Sequence, residues 1–294
     1  PFKFVSRTAQ DSIVLERFDG YWGTPAPLDQ GTFRIIENAD SLVMSLQSGA
    51  IDMFAHLTST QAAQLGDDFQ VLEGTMNLVQ ALYLNNAAEP FNNEKVRQAL
   101  CYAVDKQQII DVAFDGYGSP IGSSMYPAFQ KYFVEDLTDY YPYDPERARE
   151  LLAEAGYPGG FSMTITVPSN YQPHIDTATV LVEQLKAVGI TAEIQPVEWG
   201  AWLSEVYGNR QFQSVVGVDV SHMTARALLA RFTSAADDNF INYQNTDYDA
   251  LFQQAQATAD DAEQTELYKQ MERNLTEHAA NVYIQDLADL VVLR

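Results

Sequence analysis

The stretch "FSMTITVPSNYQPHIDTATVLVEQLKAVGITAEIQPV" (residues 161–197) changes its period twice, and those changes set the fold class. Residues 161–167 alternate apolar and polar side chains, the pattern of a half-buried strand. Ile175, Ala178, Leu181, Leu185 and Val188 then share one helical face, and Gly189 stands where a left-handed residue would end the helix. Residues 190–197 read as a second strand. Strand, helix and strand in this order predict a βαβ unit with a right-handed parallel crossover. A further strand, "FQSVVGV" (residues 212–218), follows a short connection and extends the prediction to an open α/β sheet.

Toward the N terminus, Asp144 followed by Pro145 is an N-cap with proline in the first turn, opening a helix that stops at Gly156. Asn92 or Asn93 caps an earlier helix in which Val96, Ala99, Leu100 and Ala103 recur at helical spacing. Cys101 lies beside that stripe and reads as a small buried hydrophobe, with Asp105 and Lys106 as caps or surface pairs at its end. Residues 1 to about 85 mix short strands with turns and one helix, "NADSLVMSLQSG" (residues 38–49), ending in a C-cap glycine. Residues 247–279 read as two helices and 281–293 as a returning strand.

Composition narrows the function. A chain of 294 residues exceeds the usual single core and predicts two packed units. No apolar run approaches the roughly 20 residues of a membrane helix. The chain begins at Pro1, so its start reflects processing or trimming, and a targeting segment is expected to have been removed. A formal charge of −23 repels phosphate backbones and argues against nucleic acid as a partner. One cysteine excludes an internal disulfide and a CxxC motif. His56, His174, His222 and His278 lie far apart without ligand spacing, so no metal site is read from them. No GxSxG, P-loop or GxGxxG occurs, and the acidic pairs at 67–68 and 260–261 fall in turns. No catalytic residue is assigned.

In open α/β sheets, ligands gather beyond the carboxyl ends of the strands. Pro168, Ser169, Asn170 and Tyr171 follow the first strand of the βαβ unit, Glu198, Trp199 and then Trp202 follow the second, and Asp219, Ser221 and His222 follow the third. Aromatic rings, hydrogen-bonding groups and a carboxylate at one edge suit an organic, amine-bearing ligand. The same residues also fit a structural role, with the tryptophans covering a helix and Asp219 capping one.

Seven segments carry a family resemblance: "PFKFVS", "SIVLERFDGYWG", "SLQSGAIDMF", "LYLNN", "PFNNEKVRQALCYAVDKQQII", "YDPERARELLAEAGYPGGF" and "LVEQLKAVGITAEIQPVEWGAW". In this order the chain resembles the extracytoplasmic solute-binding proteins of ABC importers, of the family of dipeptide, oligopeptide and nickel binders. The resemblance implies an α/β fold of the periplasmic-binding-protein type II kind. Two lobes would close on a ligand and deliver it to a membrane permease. It further implies a truncated chain, with 1–85 and 281–294 as part of the first lobe and 86–280 as a nearly complete second lobe. Peptide binders of the family carry an acidic residue for the ligand amine near the place of Asp219, commonly beside an Asp-Pro pair; here the stretch reads "GVDVSHMT". Tyr126, in "GSSMYPAF", is expected at the cleft with Asp219, Trp199, Trp202, Tyr171, Asn170 and His222.

The function so implied is non-enzymatic capture of a peptide or related amine-bearing solute, without a cofactor, outside the cytoplasm, in the periplasm or on a lipid anchor of the full-length protein. A hydrolase of peptides or glycans and a sensory receptor on the same fold are the alternatives. Strand edges exposed by truncation would pair between chains, so a dimer of this chain would be read as a product of truncation.

Overall fold

The computed structural model describes residues 1–36, 38–219 and 222–294, with the backbone alone for Ala39, Asp40 and Asp219. The chain divides into two units, Pro1–Gly74 with Asp289–Arg294 and Thr75–Ala288. No helix among the described residues is long and apolar enough to cross a membrane.

The smaller unit opens with an antiparallel meander of β1 (Phe2–Thr8), β2 (Ser12–Arg17) and β3 (Gln30–Arg34). Next come α1 (Ala39–Ser48), β4 (Met53–Leu57), the single turn α2 (Ser59–Ala62) and β5 (Gln70–Thr75). The ends of α1 are as its sequence requires: the Asn38 side chain accepts from the Ser41 N–H, and Gly49 adopts φ 74°.

The larger unit contains β6 (Val79–Leu84), α3 (Glu94–Ala103), α4 (Lys106–Phe114), β7 (Ser119–Pro120), α5 (Pro145–Glu154), β8 (Ser162–Pro168), α6 (Gln172–Lys186) and β9 (Thr191–Val197). It continues through α7 (Trp199–Ala201), a π-helical turn at Trp202–Gly208, β10 (Ser214–Asp219), α8 (Ala225–Ala230), α9 (Thr246–Ala257), α10 (Asp261–Glu277) and β11 (Asn281–Asp286). The chain returns to the smaller unit in β12 (Ala288–Leu293), which lies between β4 and β5.

The six-stranded sheet of the larger unit runs β7-β11-β6-β10-β8-β9. β8 pairs in parallel with β9 and β10, so the expected βαβ unit is present and the carboxyl ends of all three strands share one edge. β6 pairs antiparallel with both β10 and β11, making the sheet mixed. Successive side chains alternate between two cores. Val79, Ala81, Tyr83, Val215 and Tyr283 pack with α8, α9 and α10, while Leu82, Leu84, Val216, Val282 and Ile284 pack with α3, α5 and α6.

Three sequence expectations need correction. Residues 79–84 and 281–286, assigned to the first lobe, form β6 and β11 at the centre of the larger unit's sheet. All six residues of each are buried, and a strand buried on both faces needs a layer on each side. The single strand expected at 281–293 is two strands in different sheets, broken at Leu287. Lys106 is no surface residue: its ammonium turns inward and donates to the carbonyls of Ile121 and Thr138, both at 2.9 Å. Asp105 does cap α4, and Cys101 is buried with its thiol pushed up to about 12 by desolvation.

Candidate binding edge

The site is built from the three parallel strand ends. At the end of β8, the Ser169 N–H donates to the Val197 carbonyl at 2.8 Å, joining this turn to the end of β9. Asn170 is exposed, and Tyr171 is the N-cap residue of α6 with no side-chain cap bond. At the end of β9, the Glu198 carboxylate caps α7, accepting from the N–H groups of Gly200 and Ala201 at 2.7 and 3.3 Å. Glu198 is thereby committed to backbone.

Tyr171 and Trp199 face each other across these two turns, with ring centroids 5.3 Å apart and planes tilted by 54°. They stay 42% and 38% exposed, a large apolar area for two aromatic side chains beside each other. Beneath them lies His174, stacked on Tyr171 at 5.7 Å and 26°. Its Nδ1 is 3.1 Å from Nε2 of Gln80, whose Oε1 accepts from Nε2 of Gln285 at 2.8 Å. Desolvation lowers the His174 pKa to about 4, so the imidazole under the aromatic pair is neutral at pH 7.

His174, Gln80 and Gln285 are not among the residues expected at the site from sequence. The available signal was a glutamine inside the otherwise apolar "VQALYL", since a buried amide needs partners; "NVYIQD" carries Asn281 and Asp286 beside Gln285 and gives no such contrast.

The other expected residues fall in different environments. Trp202 is 9% exposed and belongs to the core with Val206 and Phe212; its indole lies over Gly217, where a Cβ would come 3.5 Å from Cζ2. Tyr126 is also buried, stacked on Phe129 at 4.9 Å, and its phenol donates to the His222 carbonyl at 3.1 Å. His222 is half-buried. The backbone of Asp219 closes β10 opposite Val79, whereas its side chain, like Val220 and Ser221, lies outside the described residues. The structure therefore brings together Tyr171 with Trp199, and Tyr126 with His222, and it sends Trp202 into the core.

Two histidines elsewhere lie against carboxylates: His56 Nδ1 is 2.8 Å from Asp289, and His278 Nδ1 is 2.9 Å from Glu94. Among the described residues, no three histidine, cysteine or acidic side chains gather as a metal site would require.

Comparison with known proteins gives a consistent result. The family model described as "Bacterial extracellular solute-binding proteins, family 5 Middle" matches residues 1–265. The glutathione-binding protein GsiB of Pectobacterium atrosepticum is 31% identical over 297 aligned positions, covering 97% of this chain and 57% of that protein. Among solved structures, the ABC transporter substrate-binding protein CtaP of Listeria monocytogenes superposes with a TM-score of 0.92 at 26% identity, over all of this chain and 61% of CtaP. The periplasmic binding protein DppA of Helicobacter pylori, in complex with the peptide STSA, gives 0.82 at 25% identity, over all of this chain and 58% of DppA. The chain thus spans little more than half the length of these proteins.

Proposed function

The chain belongs to family 5 of the bacterial extracellular solute-binding proteins, with the α/β fold of periplasmic binding proteins, and we propose that the full protein captures a peptide or a related amine-bearing solute for an ABC importer. The observation that carries this reading is the exposed Tyr171–Trp199 pair on the edge shared by the carboxyl ends of β8, β9 and β10. Two rings held at a fixed tilt offer apolar faces at little conformational cost, which favours a ligand with aliphatic or aromatic groups. Asp219 would pair with the ligand amine where excluded water strengthens the charge contact. Asn170 and His222 would supply hydrogen bonds, and Tyr126 and Trp202 would act from beneath, the first through the His222 carbonyl and the second through the floor at Gly217. GsiB is named for binding glutathione and the DppA structure holds the peptide STSA, which supports the ligand class.

In this reading the protein works outside the cytoplasm, passes its ligand to a membrane permease, and has no turnover of its own. Residues 75–288 would form one lobe and 1–74 with 289–294 part of the other.

Native mass spectrometry of the full-length protein from its host tests the reading. The expected result is a peptide or amine that leaves on denaturation. Asp219→Asn is expected to weaken that ligand at least about tenfold by calorimetry, ~1.4 kcal/mol. An empty protein that converts added peptides would overturn the reading in favour of a hydrolase.

A further inference from the structure

Glu272 is a carboxylic acid with no exposure to solvent, in the middle of α10. Its Oε2 accepts from the Ser123 hydroxyl at 2.9 Å, and its Oε1 is buried without a partner among the described residues. One turn further along, Thr276 donates from Oγ1 to the Gly122 carbonyl at 2.7 Å. The neighbouring residue Ile121 is held from the other side by Lys106 on α4, which also takes the Thr138 carbonyl. Three consecutive residues, 121, 122 and 123, are thus each fixed by one side chain from a helix.

This segment allows no slack. Gly122 packs so closely that a Cβ would come 1.8 Å from the Leu137 carbonyl oxygen. Three residues beyond Ser123, the Tyr126 phenol reaches the His222 carbonyl, three residues after the end of β10. Hydrogen bonds and backbone therefore connect α10, through residues 121–126, with the carbonyl of His222, a residue proposed to meet ligand.

We infer that Glu272 is a positioning residue which, with Thr276 and Lys106, latches residues 121–123 and through Tyr126 holds the backbone at His222 in register for ligand, so that deprotonation of Glu272 opens the latch. The ligand part of this inference rests on the function proposed above.

The electrostatics identify Glu272 as the sensitive member. The charged groups about it are Lys269 and Arg273 on its own helix, and Arg273 is already paired with Asp136 at 2.8 Å. The facing segment offers the Ser123 hydroxyl and the Val134 backbone, and α9 offers the Tyr248 phenol. None compensates for burial, which raises the carboxyl to about 8. An ionised Glu272 would be a buried charge with one oxygen unserved, and the route by which water reaches it is displacement of the segment covering it. Lys106 behaves differently. Burial lowers its pKa to about 8, with Asp139 as its charged neighbour and Cys101 as a neutral thiol beside it, but a neutral amine still has two N–H groups for its two carbonyls.

Hydrogen exchange on the full-length protein at pH 7 and pH 9, corrected for intrinsic rates, tests the latch. In the unsubstituted protein, protection across 119–128 is expected to fall at least tenfold between the two pH values. In Glu272→Gln, which keeps an acceptor for Ser123 and cannot ionise, the change is expected to stay within twofold. Tyr126→Phe should speed exchange near 222–226 and leave 121–123 protected at pH 7. Equal pH responses in the unsubstituted protein and Glu272→Gln, or a silent Tyr126→Phe, would overturn the inference.

Affinity for the peptide Ser-Thr-Ser-Ala and for reduced glutathione, measured at both pH values, separates the two layers. Deprotonation of the probe's own amine weakens it in both proteins at pH 9, so a bound probe that loses clearly more affinity in the unsubstituted protein than in Glu272→Gln supports both. Binding of neither probe, with the exchange pattern as expected, upholds the latch and overturns the ligand reading. A bound probe whose affinity falls equally in the unsubstituted protein and in Glu272→Gln while the latch opens overturns the link to ligand.

Discussion

The two units use the same strand-forming residues with different outcomes. In the smaller one, six of the seven residues of β1 and all six of β5 are exposed, Phe33 is 62% exposed and Trp22 91%. In the larger one, every residue of β6 and β11 is buried. Phe4, Val5 and Phe33 are as good β-formers as Val79, Leu82 or Tyr83, so propensity and backbone pairing make strands in both units. What differs is cover: the six-stranded sheet has helices on both faces, and burial follows the layers more than the strand residues themselves. Nonlocal free energy is therefore concentrated in Thr75–Ala288, where the candidate edge also lies.

A pair of truncations would break that comparison most directly. Phe91 is fully buried against Phe161, with ring centroids 6.1 Å apart, and Phe91→Ala is expected to cost about 3–5 kcal/mol by urea denaturation. Phe33→Ala removes the same group from an exposed position and is expected to stay within about 0.5 kcal/mol. Equal losses at both positions would show that the smaller unit's apolar residues are covered in solution, and the contrast between the units would fall.

The pH dependence of stability sharpens the comparison next, because the buried groups with large shifts lie in the larger unit. Glu272 has its carboxyl raised from 4.5 to about 8. Its contribution is full below about pH 4.5 and is lost as pH rises through about 8, with a slope of up to about 1.4 kcal/mol per pH unit. His174 has its imidazole lowered from 6.5 to about 4, so its contribution is full above about pH 6.5 and is lost as pH falls through about 4. Glu272→Gln should flatten the alkaline limb of the profile and His174→Phe the acid limb, each relative to the unsubstituted protein. Thermal midpoints from pH 3.5 to 9 measure both slopes; a limb unchanged by its substitution would remove that residue as the titrating group.

These two residues also show where sequence reading stops. The βαβ unit, the C-cap at Gly49, the N-cap at Asp144 and the shared edge of β8, β9 and β10 follow from period and punctuation, which are local, while of the two candidates Asn92 and Asn93 the structure uses Asn93. Tyr171 and Trp199 can be placed on this edge from sequence because they lie three and two residues beyond the ends of β8 and β9. Trp202 was misplaced because a further turn, wound as a π-helix, swings it onto Gly217, and nothing in "EWGAW" specifies that winding. Lys106 reads from sequence as a cap or surface pair, and neither His174 nor Glu272 carries a sequence signal of burial, because burial of a polar side chain depends on partners far along the chain. Gln80 meets His174 across 94 residues and Ser123 meets Glu272 across 149.

The smallest effect tests the other half of the comparison, that local energies are the same in both units. Asn38 caps α1 in the smaller unit by accepting from the Ser41 N–H at 2.9 Å, and Asn93 caps α3 in the larger by accepting from the Lys95 N–H at 3.0 Å. A cap satisfies one otherwise orphaned backbone donor and uses only residues within a turn, so its worth depends little on the layer above. Asn38→Ala and Asn93→Ala are each expected to cost about 1 kcal/mol, read as a roughly fivefold rise in hydrogen exchange over the first turn of the helix concerned. If the Asn93 substitution instead spread its effect through α5 and α6 while the Asn38 substitution stayed within α1, even capping in the larger unit would be coupled to its packed layers. The contrast between the units would then extend from burial to cooperativity.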